Sequence, residues 1–191
     1  MQKFLIAGLG NIGAEYELTR HNIGFLVADA LADELKVEFK TERLASYASG
    51  SFRGKKVHII KPSTYMNLSG NALRYWLNEL GIETINSLTI MDDIALPFGE
   101  IRIRASGGDA GHNGLTSIQE VLGTQKYPRL RFGIGNDFPR GGQVNYVLGS
   151  WTDDEEKHLG TRIPKAIEAI KEFMLSGLER TMNKYNKSAN D

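Results

Sequence analysis

The feature that most constrains this chain is a glycine-rich segment that follows a short apolar run near its start. The run Phe-Leu-Ile-Ala at 4–7 is typical of a buried strand, and the segment at 8–13 has the pattern G-x-G-x-x-G. Taken alone, this pattern is the fingerprint of a dinucleotide-binding turn. Taken with the residues that follow, it is a loop that delivers Asn11 and His21 to one site.

Apolar periodicity along the rest of the chain predicts strands and helices in alternation. Asn22 suits the N-cap of the first helix, and Gly54-Lys55 suits a hairpin turn. Gly81 and Gly123 are expected to end two later helices. The expected strands are 3–8, 46–53, 56–61, 87–92, 100–105 and 129–134, and the expected helices are 23–35, 69–80, 115–122, 153–175 and 177–187.

This alternation predicts the fold class. Strands and helices in turn favour one α/β domain over residues 1–191, with a twisted, mixed and largely parallel β-sheet flanked by helices. In such sheets ligands bind beyond the carboxyl ends of the strands. We therefore expect an active-site cleft there, lined by the loops that follow the strands.

Composition excludes several classes of protein. The chain has 191 residues and no cysteine, which rules out disulfide frameworks and thiolate metal sites. The apolar run at its start is too short for a signal peptide, and no segment reaches the roughly 18 apolar residues of a membrane span. A cytoplasmic protein without a membrane partner is expected. Lys plus Arg equals Asp plus Glu at 23 each, so a basic patch for nucleic acid would have to be local.

A dinucleotide-binding oxidoreductase is one candidate function, but the glycine pattern meets only part of its requirements. That site needs a helix that opens at the glycines, with its N-terminal amides facing the pyrophosphate. Here the apolar periodicity begins only near Asn22, and no acidic residue closes a second strand about 20 positions further on. Asp29 and Asp33 fall inside the expected first helix. The surrounding sequence therefore counts against this class.

A hydrolytic site built on a histidine is the alternative. Imidazole titrates near neutrality, so His21 can remove a proton from water if a carboxylate fixes its tautomer. The chain has neither cysteine nor a G-x-S-x-G serine, so water is the expected nucleophile. The carboxamides of Asn11, Asn67 and Asn113 can position that water and hold a carbonyl oxygen. This chemistry needs no cofactor.

Several residues also have simpler structural explanations. Asn67 and Asn113 stand at loop-to-helix junctions, where asparagine is commonly a cap. His58 alternates with apolar residues in an expected strand and His158 lies in a charged helix, so both are expected to be structural or solvated. For Asp93 the simplest explanation is exposure to water. The four histidines lack the close spacing of metal ligands, and no metal site is expected.

Five motifs occur in one register over most of the chain, which makes them far more specific than the glycine pattern alone. They are G-L-G-N-x-G-x-x-Y-x-x-T-R-H-N-I-G-F at 8–25, P-S-T-Y-M-N-L-S-G at 62–70, G-H-N-G-L at 111–115, R-L-R-F-G-I-G at 129–135 and Y-V-L-G at 146–149. In these motifs the chain resembles the bacterial peptidyl-tRNA hydrolase family. The resemblance implies hydrolysis of the ester between a peptide, or an N-blocked amino acid, and the 3′-terminal ribose of tRNA.

The resemblance also implies roles for catalytic residues. His21 would be the base that activates water, and Asp92 would hold its basic form in the right orientation. Asn11 would distinguish a blocked from a free α-amino group. Such an enzyme recycles tRNA from peptidyl-tRNA that has left the ribosome too early.

Binding residues follow from the same resemblance. Asn67 and Asn113 would position the substrate carbonyl, the tRNA end and the attacking water. Tyr16 and Tyr65 match positions that contact the tRNA or its terminal adenosine. Peptidyl-tRNA is therefore the expected partner, and the enzyme is expected to act as a monomer.

Alternating arginines supply a candidate phosphate site. Arg102 and Arg104 share one face of an expected strand, and Arg129 and Arg131 share one face of another. By resemblance, Arg104 and Arg131 would hold the phosphate at the tRNA 5′ end. The simpler alternative is that they are solvated cations on an edge strand.

The chain departs from the family pattern in three places. Ile12 stands where the family commonly has proline, and the usual H-D-E-L-D-L-P is Met-Asp-Asp-Ile-Ala-Leu-Pro at 91–97. Alignment on the shared Leu-Pro selects Asp92, not its neighbour, as the orienting carboxylate. Ser106 and Asp109 interrupt an otherwise glycine-rich loop. An RNA-binding module that has lost turnover is therefore a third candidate function.

Overall fold

Alternate residues of the first strand are buried on opposite faces of a central sheet. Phe4 and Ile6 join one apolar cluster, and Leu5 and Ala7 join a second cluster on the other face. A strand buried on both faces needs apolar residues at every position, which is why this run shows no alternation of apolar and polar residues. The continuous run therefore marks the centre of the sheet.

The structure, a computed structural model, describes residues 1–187. The strands in this range are β1 (Lys3–Gly8), β2 (Lys40–Glu42), β3 (Ala45–Phe52), β4 (Lys55–Pro62), β5 (Ser87–Asp93), β6 (Ile101–Arg104) and β7 (Arg129–Gly133). The α-helices are α1 (Ile23–Leu35), α2 (Ser69–Leu80), α3 (Asn113–Leu122), α4 (Gln143–Val147), α5 (Asp153–Ser176) and α6 (Leu178–Tyr185). No helix among the described residues has both the length and the apolar character that crossing a bilayer requires.

The strands form one mixed sheet in the order β2-β3-β4-β1-β5-β7-β6. β4, β1, β5 and β7 are parallel neighbours, whereas β2, β3 and β6 pair antiparallel at the two sides. Helices α1, α5 and α6 cover one face, and α2 and α3 cover the other. The predicted α/β class, with a mixed sheet flanked by helices, is confirmed.

Most predicted elements are present with bounds within two residues of those expected, but the turn between β3 and β4 differs. The turn residues are Arg53 and Gly54, not Gly54 and Lys55, because Lys55 already pairs with Phe52. Both turn residues have positive φ, 44° and 79°. A two-residue hairpin turn of type I′ requires positive φ at both positions.

Two short elements, β2 and α4, are absent from the sequence predictions. All three residues of β2 are exposed, and none of the five residues of α4 is fully buried. Apolar periodicity reveals an element only when one of its faces is buried. Neither element has such a face, so the sequence carries no signal for it.

Asn186 closes part of the outer edge of β6, immediately after α6. Its Oδ1 accepts a hydrogen bond from Ile103 N at 2.7 Å, and its Nδ2 donates to Ile103 O at 2.8 Å. The side-chain amide thus satisfies the backbone N–H and C=O of Ile103, which a further strand would otherwise pair. The end of α6 is thereby fixed to the strand that carries Arg104.

Candidate active site

The glycine-rich segment after β1 serves close packing and does not open a helix. A Cβ atom at Gly8 would lie 2.1 Å from Gly24 O, and one at Gly24 would lie 2.4 Å from Leu9 N. Both distances are far below van der Waals contact, so α1 can approach the end of β1 only because both residues are glycine. The helix itself begins at Ile23, well after the glycines. The geometry that a dinucleotide pyrophosphate needs is therefore missing.

Asn22 fixes the first loop by holding the backbone of Asn11. Its Oδ1 accepts from Asn11 N at 2.8 Å, and its Nδ2 donates to Asn11 O at 2.9 Å. Asn22 stands at the N-cap position of α1, as predicted, but its side chain makes no capping hydrogen bond. The amide is instead used to present Asn11.

The side chain of Asn11 offers a hydrogen-bond donor. Its Oδ1 accepts from Met66 N at 3.0 Å, and only the carbonyl end of a carboxamide can accept from an N–H group. This contact assigns the orientation of the amide and leaves the Nδ2 hydrogens for other partners. Asn11 also lines the main cavity of the molecule.

His21 and Asp92 meet where the first loop crosses the end of β5. His21 lies in a 3₁₀ turn, Arg20–Asn22, and is 9% exposed, whereas Asp92 is 3% exposed. His21 Nδ1 lies 2.9 Å from each carboxylate oxygen of Asp92. An ionised carboxylate can only accept, so Nδ1 carries a proton, and in the neutral ring the lone pair is on Nε2.

A second imidazole, that of His112, holds the same carboxylate. Its Nε2 lies 2.9 Å from Asp92 Oδ1, and its Nδ1 accepts from Gly114 N and Leu115 N at 3.0 and 3.3 Å. His112 is thus the N-cap of α3. Because Nδ1 accepts from two amides, the proton of the neutral ring is on Nε2, which donates to Asp92.

The two imidazoles also determine the ionisation of Asp92. Burial by itself would raise the pKa of this carboxyl, but the fields of His112 and His21 and their hydrogen bonds lower it by more. The net result is a pKa for Asp92 well below its usual range. The carboxylate therefore stays charged and acceptor-only.

Donor geometry argues against a metal ion among these three residues. Their ligand atoms lie within 4.8 Å of one another, which is close enough for a shared ion. A metal on His112 Nε2 would move the ring proton to Nδ1, where it would face two N–H donors. The residues present therefore do not fit a metal. The histidines are far apart in the sequence, but the fold brings two of them together, with the His21 and His112 rings 5.0 Å apart.

The main cavity opens beside this cluster and has a volume of about 930 Å³. It lies at the carboxyl ends of β1 and β5, where the fold class predicts a cleft. Tyr65, Asn67 and Asn113 line it and are exposed. Asn113 is the first residue of α3 and Asn67 lies in a 3₁₀ turn, so neither side chain is spent as a helix cap.

Tyr16 lies apart from the other predicted site residues. It ends a 3₁₀ turn, Ala14–Tyr16, is half-buried and does not line the cavity. Its backbone carbonyl accepts from the amide and the hydroxyl of Thr19. Any contact of Tyr16 with a ligand would therefore be made outside the main cavity.

The arginines of β6 and β7 have different environments. Arg104 is exposed and Arg131 half-buried, and both line the cavity. Arg129 is buried, and its guanidinium donates to backbone carbonyls. The expectation that Asp93 is exposed to water is wrong, because the residue is only 6% exposed. Its carboxylate accepts from Ala95 N at 2.7 Å and from Arg131 Nε.

Sequence reasoning missed His112 as a site residue and chose its neighbour Asn113 instead. The sequence did carry a signal for His112, because it occupies the same kind of position as His21. Each histidine stands in a loop immediately before a helix, and such loops at the carboxyl edge of an α/β sheet carry the binding groups.

Comparison with known proteins shows which family the chain belongs to. The family profile described as peptidyl-tRNA hydrolase matches residues 5–191. Peptidyl-tRNA hydrolases from Phocaeicola vulgatus and Porphyromonas gingivalis are 55% and 50% identical, covering 97% and 96% of this chain and 99% and 100% of theirs. The crystal structure of peptidyl-tRNA hydrolase from Acinetobacter baumannii superposes with a TM-score of 0.90 at 32% identity, over 96% of this chain and 94% of that one. The chain therefore belongs to the peptidyl-tRNA hydrolase family.

Proposed function

We propose that His21 Nε2 is the general base that activates water in hydrolysis of the peptidyl-tRNA ester. The family determines the reaction. One observation supports the choice of His21 as the base. Asp92 accepts from His21 Nδ1, so the unprotonated nitrogen of this ring is the one available to a ligand. A base within hydrogen-bond reach of water can then remove its proton as the water attacks the ester carbonyl.

Asp92 would act on the reaction through His21. A carboxylate that stays ionised keeps the imidazole in the Nδ1–H tautomer and stabilises the imidazolium that forms when Nε2 takes a proton. The low pKa of Asp92, caused by its two histidine neighbours, supports this role. His112 would be a positioning residue, because it reaches the reaction only through Asp92.

Asn11 would select substrates whose α-amino group is blocked. Its amide donor matches the carbonyl oxygen that a peptide or N-acyl group supplies. A free α-ammonium carries only donors, so it would leave Asn11 Nδ2 without an acceptor and place two donors face to face. A buried or half-buried donor without a partner costs about 1–3 kcal/mol, which is enough to discriminate.

Asn67 and Asn113 would position the substrate carbonyl, the tRNA end and the water. Both carboxamides line the cavity and are free of capping bonds, so they can donate to a developing oxyanion. Tyr65, 62% exposed on the cavity wall, offers a ring for stacking on the terminal adenosine. Tyr16 would contact tRNA outside the cavity.

Arg104 and Arg131 would hold the phosphate at the tRNA 5′ end. Both line the cavity, and both lie on the sheet face opposite to the buried Ile101 and Ile103. Guanidinium groups bind phosphate through paired donors. A local pair of this kind is compatible with a chain whose net charge is zero.

The proposed groups suffice for this reaction without a covalent intermediate. An ester is more reactive than an amide, a general base contributes about 10² to 10⁴ in rate, and a carbonyl-polarising donor contributes about 10² to 10³. We further propose that the enzyme acts as a monomer in the cytoplasm, since one chain supplies every group named here. Sedimentation equilibrium on the purified protein tests the oligomeric state.

The test of the base is the His21→Ala variant with an N-acetyl-aminoacyl-tRNA as substrate. We expect kcat to fall by at least about 10² with little change in the thermal midpoint, because the ring is lost and the fold is not. The matched control is His158→Ala, which removes an exposed histidine of α5.

Unchanged turnover in His21→Ala would refute the assignment of the base. Tight tRNA binding with no ester cleavage by the unmodified protein would favour an RNA-binding module instead. The same assay therefore separates the base assignment from the third candidate function.

A further inference from the structure

The loop that carries His112 ends in an unusual tight turn at 109–112. His112 N donates to Asp109 O at 2.8 Å, and the two central residues, Ala110 and Gly111, have φ of 50° and 79°. Positive φ at both central positions defines a type I′ turn. Gly111 adopts this conformation without strain, but Ala110 has a Cβ and does not. Some other group must therefore hold the turn in place.

Asp109 supplies that group. One carboxylate oxygen accepts from Gly111 N at 2.9 Å, and the other accepts from Thr116 Oγ1 at 2.8 Å. The first contact lies inside the turn, and the second reaches the first turn of α3. Both hydrogen bonds favour the charged form and lower the pKa of Asp109 from its ordinary value.

Thr116 completes a ring of contacts around His112. Its backbone N donates to His112 O at 3.0 Å, while its single hydroxyl proton goes to the nearer acceptor, the Asp109 carboxylate. Asp109 thus links the residues before His112 to the helical turn after it. The imidazole projects from a backbone that is held on both sides.

We propose that Asp109 is a positioning residue that, together with Thr116, holds the turn from which His112 reaches Asp92. This inference rests on the proposed function, in which His112 acts on the reaction through Asp92. A hydrogen bond of 2.9 Å between His112 Nε2 and Asp92 tolerates little movement of the turn. Small displacements at such sites reduce rates strongly, because the reacting groups must stay aligned.

An ordinary surface hydrogen bond is the competing explanation, and it predicts a different outcome. Contacts of that kind change stability slightly and leave kcat alone. Asp109 differs because it lines the cavity and its partners flank His112 directly. Its loss should therefore appear in the chemical step.

The test compares four variants on N-acetyl-aminoacyl-tRNA and on a minimal N-acetyl-aminoacyl nucleotide ester. Asp109→Ala should lower kcat about three- to tenfold on both substrates, with KM for whole tRNA changed less than about twofold. Thr116→Val should lower kcat in the same direction, and Thr116→Ser, which keeps the hydroxyl, should retain it. The double variant Asp109→Ala with Thr116→Val should be no slower than Asp109→Ala alone, because both changes break one contact.

A spectroscopic readout separates positioning from general destabilisation. In the unmodified protein, imidazole ¹⁵N resonances of His112 should show a protonated Nε2 and an unprotonated Nδ1. In Asp109→Ala, with the protein folded, they should show mixed tautomers or exchange broadening.

An unchanged kcat in Asp109→Ala, a loss confined to KM, an equal loss in Thr116→Ser, or unaltered His112 resonances would each overturn the inference. If Asp109→Ala leaves the rate intact while His21→Ala abolishes it, only the inference about Asp109 fails. If His21→Ala is fully active, the proposed function itself fails.

Discussion

At the residue scale, the two imidazoles that bind Asp92 differ in proposed function because their other nitrogens have different neighbours. Nδ1 of His112 is occupied by two amides of α3, so this ring has no nitrogen left for substrate. His21 has only Nδ1 engaged, by Asp92. Both nitrogens of His112 are therefore engaged, whereas Nε2 of His21 makes no hydrogen bond with any described residue.

This division predicts that capping and catalysis can be separated at position 112. His112→Ala loses both the cap and the bond to Asp92, so we expect kcat to fall about tenfold or more and stability to fall by about 1 kcal/mol. His112→Asn keeps a good capping side chain but is too short to reach Asp92. Steady-state rates and thermal midpoints should show stability restored in His112→Asn with the rate still low.

A rate that recovers together with stability in His112→Asn would contradict the positioning role. It would mean that His112 matters only as the cap of α3. The matched change elsewhere is His158→Ala, which should affect neither quantity because that side chain is exposed.

Sequence reasoning reached the residues whose chemistry is visible in their type and local position. Asn11 and His21 follow β1 and Asn67 follows β4, so their convergence follows from the topology of parallel strands. Asn113 follows the antiparallel β6, so this topology alone does not place it at the same edge. The contact between His112 and Asp92 joins residues 20 positions apart. It depends on how α3 docks, which apolar periodicity does not specify. Likewise, the burial of Asp93 depends on Arg131 arriving from another strand.

At the scale of single elements, the β3–β4 hairpin carries a buried histidine that takes no part in the site. Tyr47 hydroxyl lies 2.7 Å from His58 Nδ1, and the Tyr47 ring stacks on Trp76 with centroids 4.7 Å apart. Burial, together with the nearby charges of Lys56 and Lys3, lowers the pKa of His58 to about 4. His58 is therefore neutral in the folded hairpin at neutral pH.

The lowered pKa of His58 predicts an acid-sensitive contribution to stability. Between the unfolded value of 6.5 and the folded value of about 4, the unfolded state binds more protons, so the free energy of unfolding falls as pH falls. We expect a loss of about 1 to 2 kcal/mol over this window, allowing for solvent screening. Urea unfolding of the unmodified protein and of His58→Asn at pH 7, 5 and 4 measures it.

Only the difference in pH dependence between the two proteins bears on His58, since His58→Asn also changes packing. The asparagine Oδ1 can still accept from Tyr47, which keeps the comparison close. Parallel stability curves for the two proteins would show that His58 does not carry the effect.

The helices and strands that bury an apolar face are the ones that the sequence predicts best. α2 buries Leu73, Trp76 and Leu77 on one face, and its predicted and observed bounds agree. The β3–β4 turn was displaced by one residue because the sequence does not show that Arg53 adopts a positive φ. Arginine is not a residue that signals that conformation.

At the scale of the whole molecule, a chain with no net charge nevertheless places two arginines at one side of its cleft. Equal numbers of acidic and basic residues set the total, but Arg104 and Arg131 both face the cavity from neighbouring strands. Asp92, Asp93 and Asp109 line the same cavity but are held by neighbouring side chains, and the acidic residues of the first turn of α5 lie elsewhere. Binding of a polyanion therefore depends on placement of charge and not on its sum.

Arg131→Ala is expected to weaken the recognition of whole tRNA specifically. KM for N-acetyl-aminoacyl-tRNA should rise, and the slope of log KM against log salt should flatten by about 0.7 to 0.9, the value of one phosphate contact. A minimal nucleotide ester has no 5′ phosphate of tRNA, so its kcat/KM should hardly change. Arg102→Ala is the control, since Arg102 lies on β6 and does not line the cavity.

Equal losses on the two substrates would argue against a phosphate contact and for a structural role of the Arg131–Asp93 pair.

The fold class was predictable from the sequence because strand and helix signals alternate along the chain. The position of β6 at the edge was not, since an antiparallel edge strand and a further parallel strand look alike in sequence.

The two hydrogen bonds between Asn186 and Ile103 affect how readily this protein can aggregate. A bare edge strand is a template on which a neighbouring chain can build another strand, and this is a common start of aggregation. Here the residue that covers part of the edge, Asn186, lies more than 80 positions after β6 in the sequence. During synthesis, the backbone of Ile103 therefore lacks this cover until residue 186 has been added, and in the finished protein the Asn186 amide keeps a neighbouring chain from pairing there.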